Sequence, residues 1–326
     1  MTNVNEPTLT RKTKHLVIGP GAIGLSLGSY LATCVPNDNI LILGRETRTR
    51  QLIISLVGDR SSTSPPLTYE RLYDLKSIPN GSYLWVCVKA YNLDALLNFL
   101  TDKLNSTHTL MLCMNGLGMA MQASLFIKRT VPTIRSLFSY GALKEADTTI
   151  RVSGVPRVLL AGYAEQSETL LIIESLLTQS GFSTEISKNI ATAEWEKAMM
   201  NIVVNSLATL AGRENGILLS DPDIHAQAKE LLTEIRSVAQ AEGFDTSHMS
   251  DNRFFQKLEN FRDNKNSTLI DVEHGRETEL PYLLGRFLQI ANNYGLSTPV
   301  AQSIADQVDL LLLPDKNSRF LDITET

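Results

Sequence analysis

The stretch His15-Leu16-Val17-Ile18-Gly19-Pro20-Gly21-Ala22-Ile23-Gly24 constrains this chain more than any other. A short apolar run enters Gly-x-Gly-x-x-Gly, and Leu25 to Ala32 then continue with residues that suit a helix. Each glycine answers a need of a strand-turn-helix that receives a dinucleotide. Gly19 permits the tight turn, Gly21 lets the backbone approach a pyrophosphate, and Gly24 lets the helix pack closely on its strand. The phosphates then sit at a helix N-terminus, where free N–H groups and the macrodipole favour negative charge. Glycines also serve ordinary turns. The order of strand, triplet and helix, with Pro20, Ala22 and Ile23 between the glycines, favours the dinucleotide reading.

At 326 residues the chain has room for two domains with separate cores. A net charge of −5 and a pI near 5.6 argue against nucleic acid or an anionic membrane as partner. No apolar run is long enough to span a bilayer, and Met1 to Lys14 lack the apolar core of a secretory signal. The expected location is the cytoplasm, with the leader a frayed terminus. Cys34, Cys87 and Cys113 are odd in number and far apart, which reads as buried thiols rather than a disulfide frame. The histidines are scattered without metal-ligand spacing, so no metal is expected.

The first half alternates strand and helix signals. Asn39 to Leu43, Tyr83 to Val88 and Thr109 to Met114 are continuous apolar runs suited to strands buried on both faces of a parallel sheet. Asp94 to Leu104 and Glu165 to Ser180 read as helices, Arg157 to Leu160 as a strand, and Ser61 to Pro66 as a surface loop. From about Ser187 the chain reads as helices alone: Ala191 to Ala211, Asp223 to Glu242, Asp251 to Arg262, and further ones after Ser267, Thr278 and Pro299. Thr278 suits an N-cap with Pro281 in the first turn, and Gly295 suits a stop after Asn293. The pattern predicts an α/β fold: an N-terminal Rossmann-type doubly wound parallel sheet over 1–186, followed by an all-helical C-terminal domain over 187–326.

In such a sheet the end of the second strand distinguishes the two nicotinamide cofactors, an acid favouring NAD and an arginine NADP. Gly44-Arg45 follow Leu43, with Arg48 and Arg50 close behind and Glu46 the only nearby acid. This favours NADPH over a reading as solvated loop arginines. Lys89 and Asn115 are the first polar residues after two apolar runs, at strand ends where open α/β sheets bind ligands. A lysine there neutralises phosphate or carboxylate, and an asparagine holds ribose or amide groups.

Lys197, Asn201 and Asn205 recur every fourth residue in an otherwise apolar segment, so they lie on one helix face. The bland reading is a solvated face. Such faces usually carry several charges, whereas two amides and one amine suit a pocket for a small polar anion. Asn264, Ser267 and Glu279 fall around helix starts, where capping and first-turn charge explain Ser267 and Glu279 on their own.

The ordered set Gly19-Pro20-Gly21-Ala22-Ile23-Gly24, Val88-Lys89-Ala90, Asn115-Gly116-Leu117-Gly118 and Trp195-Glu196-Lys197 with Asn201 and Asn205 resembles the ketopantoate reductase family. Asn215-Gly216 and Asn266-Ser267-Thr268 through Thr278-Glu279 complete the resemblance, which spans Gly19 to about Gly285. It implies NADPH-dependent reduction of 2-dehydropantoate to pantoate in a cleft between the two domains. It also implies Lys197 as proton donor, Asn201, Asn205, Asn215 and Ser267 (with Asn264 beside them) as substrate contacts, and Arg45, Lys89, Asn115 and Gly141 as cofactor contacts. Glu279 becomes an acid near the nicotinamide and the substrate hydroxyl, reversing its reading as a helix-start charge. Pro20, Ser206 and Pro281 depart from the usual pattern. A reductase of another 2-oxo acid and a non-catalytic NADP-binding sensor are the alternatives, and a homodimer is the one macromolecular partner kept open.

Overall fold

A four-residue strand buried along its whole length needs partners on both edges and cover on both faces. β1 (His15–Ile18) has the edge partners: it pairs in parallel with β2 (Ile40–Gly44) on one side and with Tyr83–Val86 on the other. The computed structural model of the chain describes residues 14–46, 50–58, 61–162, 166–187 and 189–312. The remaining strands are β3 (Arg50–Leu52), β4 (Ser55–Gly58), β5 (Ser62–Thr63), β6 (Leu67–Arg71), β7 (Tyr83–Val86), β8 (Thr109–Leu112), β9 (Thr133–Ala146), β10 (Thr149–Ala161) and β11 (Ser183–Ser187). They form one sheet ordered β3-β6-β2-β1-β7-β8-β9-β10-β4-β5, with β11 on β10.

The central run β6-β2-β1-β7-β8-β9 is parallel throughout and has the strand order of a dinucleotide-binding doubly wound sheet. The order reverses at β1, so the glycine turn leaves the sheet at its switch point. Helices α1 (Ala22–Leu31), α2 (Leu93–Leu100), α3 (Met119–Ser124) and α4 (Ser167–Gln179) belong to this part. The helical part comprises α5 (Ile190–Leu210), α6 (Ile217–Ser220), α7 (Pro222–Ala241), α8 (Asp251–Glu259), α9 (Ser267–Glu273), α10 (Leu284–Asn293) and α11 (Pro299–Leu312). Its core gathers Trp195, Leu231, Ile235, Phe254 and Phe287.

The chain packs as two compact units. The first runs to Met114 and resumes over Gly118–Ala193, and the second takes Asn115–Leu117 and continues from Glu194. The passage falls at Ala193–Glu194 rather than 186–187 because Ala193 still packs on Leu137 and Ala161 of the sheet.

Several local expectations are corrected. The two central strands end at Val86 and Leu112, two residues early, and the chain leaves β7 for a turn of 3-10 helix at Ala90–Asn92. Arg157 to Leu160 belong to a far longer strand, since β9 and β10 form an antiparallel hairpin. The loop at 61–66 contains β5, and Ser64 is buried with its hydroxyl accepting from the Ile54 N–H. Thr278 caps no helix: a 3-10 turn over Leu280–Tyr282 follows it, and α10 starts only at Leu284. Cys34 is exposed, not buried, because it falls in the turn after α1; all three cysteines are free thiols. Gly295 does stop α10, in a left-handed conformation with φ of 66°. Arg48 and residues 1–13 lie outside the described residues, and no described helix is long and apolar enough to cross a membrane.

Candidate active site

The glycine turn is built as its sequence demands. Gly19 has φ of 104°, its N–H donates to the Leu43 carbonyl at 2.9 Å, and a Cβ there would stand 2.8 Å from the Cys87 carbonyl oxygen. A Cβ on Gly24 would lie 2.1 Å from the Gly19 carbonyl oxygen, so both positions exclude any side chain. Gly21 differs: it is exposed, it caps α1, and a Cβ on it would meet nothing within 4 Å. Two glycines therefore shape the turn from within, while the third leaves open space over a helix N-terminus with no acid in its first turn. That cradle fits a pyrophosphate.

Around it stand three cationic side chains. Arg45 is exposed just after β2, and its Nη2 donates to the Asn92 side-chain oxygen. Lys89 is partly buried and leads into the Ala90–Asn92 turn, whose Asn92 N–H returns to its carbonyl at 2.9 Å. Lys144 reaches in from β9 and donates to the Pro20 carbonyl at 3.3 Å. Sequence reading missed Lys144, because the hairpin that carries it is set by pairing partners distant in sequence, and Asn92, which only its bond to Arg45 singles out. Nearby, a hydrogen bond with the Cys113 side chain, then burial, hold the Cys87 thiol well above its ordinary range. Cys87 is therefore no thiolate nucleophile.

A second cluster lies wholly in the helical unit, to which Asn115 belongs. Asn115 donates its side-chain N–H to Glu279 Oε2 at 3.2 Å and accepts from Asn201 Nδ2 at 3.3 Å. An ionised carboxylate only accepts, so it fixes which end of the amide faces it, leaving the amide oxygen for Asn201. The backbone reinforces this, with Leu117 N–H donating to Tyr282 carbonyl at 3.0 Å. Glu279 is only 5% exposed.

On α5, Lys197 and Asn201 are partly buried and Asn205 is 5% exposed, so the stripe is no solvated outer face. The Asn205 side chain makes no hydrogen bond among the described residues, although its backbone belongs to the α5 ladder. An amide in such surroundings is the kind of group that a polar ligand satisfies.

The other sequence candidates have the following surroundings. Asn215 is buried, donates to the Phe261 carbonyl at 3.1 Å and accepts from Asn266, while its N–H donates to the Asn264 carbonyl at 3.0 Å. Its side chain thereby anchors the chain entering α6. Asn266, not Ser267, caps α9 by accepting from Leu269 N–H at 2.9 Å, leaving Ser267 exposed in the first turn. Gly141 faces Ser153 across the hairpin, where a Cβ would lie 2.1 Å from the Ser153 hydroxyl. Among the described residues no group of three or more His, Cys, Asp or Glu side chains is placed to hold a metal.

A dinucleotide-type sheet and a helical unit bearing a lysine, amides and a buried acid define an α/β oxidoreductase architecture. The family described as ketopantoate reductase PanE/ApbA matches residues 15–166, and its C-terminal part matches residues 189–311. The chain belongs to the ketopantoate reductase family. It is 24% identical over 291 residues to a 2-dehydropantoate 2-reductase of Pyrococcus abyssi, covering 88% of this chain and 94% of that one. A dimeric ketopantoate reductase from Staphylococcus aureus has the same fold at a TM-score of 0.77 and 20% identity, covering 92% of this chain and 98% of its own. So does a D-mandelate dehydrogenase solved with NADH and anilino(oxo)acetate, at a TM-score of 0.78, 17% identity and the same coverages of 92% and 98%.

Proposed function

We propose that this chain reduces the C2 ketone of 2-dehydropantoate to give pantoate, with NADPH as reductant. The observation that carries this reading is the α5 stripe. A lysine and two amides step along one face, and the most buried amide, on Asn205, makes no side-chain hydrogen bond among the described residues. A 2-oxo acid offers a carboxylate and a carbonyl to such a set. The Lys197 ammonium donates a proton as the ketone oxygen becomes an alkoxide, and its charge stabilises that oxygen meanwhile. Asn201 and Asn205 orient the carboxylate and the hydroxyl. Glu279, held by Asn115, accepts from the substrate hydroxyl. Ser267 and Asn264 stand as outer contacts, and Asn215 acts by anchoring its loop.

When bound, the nicotinamide supplies a hydride to the ketone carbon. The residues that would hold the cofactor are Gly19 to Gly24 for the pyrophosphate and Arg45 for the 2′-phosphate, with Lys89 on the same strand-end rim. Arg45 in place of an acid after β2 supports NADPH over NADH. The likeness to a D-mandelate dehydrogenase supports a second reading, in which the substrate is another 2-oxo acid.

The test follows the loss of NADPH absorbance with 2-dehydropantoate and a panel of branched and aryl 2-oxo acids, using wild type and Lys197→Ala. Fastest turnover is expected on 2-dehydropantoate, with kcat falling about 10²- to 10⁴-fold in the variant and the dissociation constant of NADPH unchanged. Preference for an aryl acid would select the second reading. A folded Lys197→Ala protein with near-normal kcat would overturn the mechanism.

A further inference from the structure

We infer that Lys144 is a further cofactor-binding residue, reaching over the glycine turn to neutralise the dinucleotide pyrophosphate; this rests on the dinucleotide reading of that turn. The argument begins with strand periodicity. Side chains alternate along a strand, so Tyr140, Ala142 and Lys144 share one face of β9. Tyr140 is pinned to the helix that follows the turn, its hydroxyl 2.7 Å from that of Ser26, which also bonds back to the Ala22 carbonyl. Four residues further along the same face, at about 3.3 Å per residue, the strand has advanced about 13 Å. There Lys144 meets the turn, donating to the Pro20 carbonyl at 3.3 Å.

Lys144 forms no ion pair among the described residues, and its neighbour Glu145 is engaged by Arg151. Its ammonium carries three donors and uses one on Pro20, so two remain for a ligand beside the open face of Gly21. A pyrophosphate brings two negative charges to just such a place. Arg45, by contrast, follows β2 and bonds Asn92, which separates the 2′-phosphate end from the pyrophosphate end.

The experiment measures dissociation constants of NADPH and NADH by calorimetry, without substrate, for wild type, Lys144→Gln and Lys144→Arg. Because Lys144 is exposed, the variants are expected to fold. Lys144→Gln is expected to weaken both cofactors alike by about tenfold, the usual scale of one charge-assisted contact, with Lys144→Arg largely restoring binding. The salt dependence of binding should also become shallower in Lys144→Gln. Unchanged constants in folded Lys144→Gln would overturn the inference, as would a loss confined to NADPH, which assigns Lys144 to the 2′-phosphate. If wild type bound neither cofactor, the dinucleotide reading itself would fall, and this inference with it.

Discussion

Asn115 and Glu279, 164 residues apart, are joined by a 3.2 Å hydrogen bond in which the amide donates to the buried carboxylate. The bond ties the loop after β8 to the turn before α10. It also holds the Glu279 carboxylate in a fixed orientation, which is what the proposed role of receiving a substrate hydroxyl requires.

Asn115→Asp replaces that donor with a second carboxylate, and two carboxylates this close do not both ionise freely. One pKa of the pair is then raised, so the folded variant binds more protons than its unfolded chain above about pH 4. Stability is therefore present at acid pH and lost as pH rises through the raised value. Thermal melts should show the variant furthest below wild type at neutral pH, by about 1–3 kcal/mol, and converging as pH falls toward about 4. A deficit independent of pH would show that the amide merely fills space.

Arg45→Ala tests cofactor choice. If the guanidinium meets the 2′-phosphate, its removal weakens NADPH about ten- to a hundredfold and leaves NADH nearly unchanged. Competition between the two cofactors in a binding assay reads the ratio directly. Equal losses would move Arg45 away from the 2′-phosphate.

Much of this was legible in the chain because the signals are local. Continuous apolar runs marked β1, β2, β7 and β8, and the glycine spacing marked the turn that joins β1 to α1. The four-residue spacing of Lys197, Asn201 and Asn205 placed them on one face whatever their surroundings. What stayed hidden depends on partners distant in sequence. The β9–β10 hairpin has no tight-turn signature, and Lys144 acquires meaning only once β9 lies along α1. The sequence reads Asn215 as a substrate contact and Asn266 only as part of a motif. The bonds of Asn215 to the Phe261 carbonyl and of Asn266 to the Leu269 N–H, and the bond between the two side chains, are ones that no spacing rule anticipates. Thr278 shows the opposite failure: a good capping residue before a proline, overruled because the turn at Leu280–Tyr282 delays the helix.

His15 gives the first unit a titratable weak point. Burial holds its imidazole down to about 4, and Trp85 Nε1 donates to its Nδ1 at 3.3 Å, which requires that nitrogen to be unprotonated. The unfolded chain takes up a proton near pH 6.5, while the folded protein resists until about 4. Stability conferred by the neutral ring is thus complete above 6.5 and declines as pH falls toward 4, by about 3 kcal/mol in all. His15→Gln, which keeps an acceptor for Trp85, should show a smaller drop in Tm between pH 7 and pH 5 than wild type. An identical drop would locate the acid sensitivity elsewhere.

The glycine turn allows shape to be separated from binding. In Gly24→Ala the new Cβ would stand 2.1 Å from the Gly19 carbonyl oxygen, which is backbone and cannot swing away. The turn must shift, and overpacking of this kind costs about 1–3 kcal/mol. In Gly21→Ala the Cβ projects into open space, so the protein is expected to melt within a few degrees of wild type, losing only part of a helix cap. The same methyl group stands where backbone and pyrophosphate should make their closest approach, so NADPH should bind about tenfold or more weakly. Melting curves and calorimetry on the two variants therefore separate: Gly24→Ala loses stability and binding together, Gly21→Ala binding alone. Gly21→Ala with wild-type affinity for NADPH would mean that no phosphate approaches the turn at this residue, and would remove the physical reason for a glycine there.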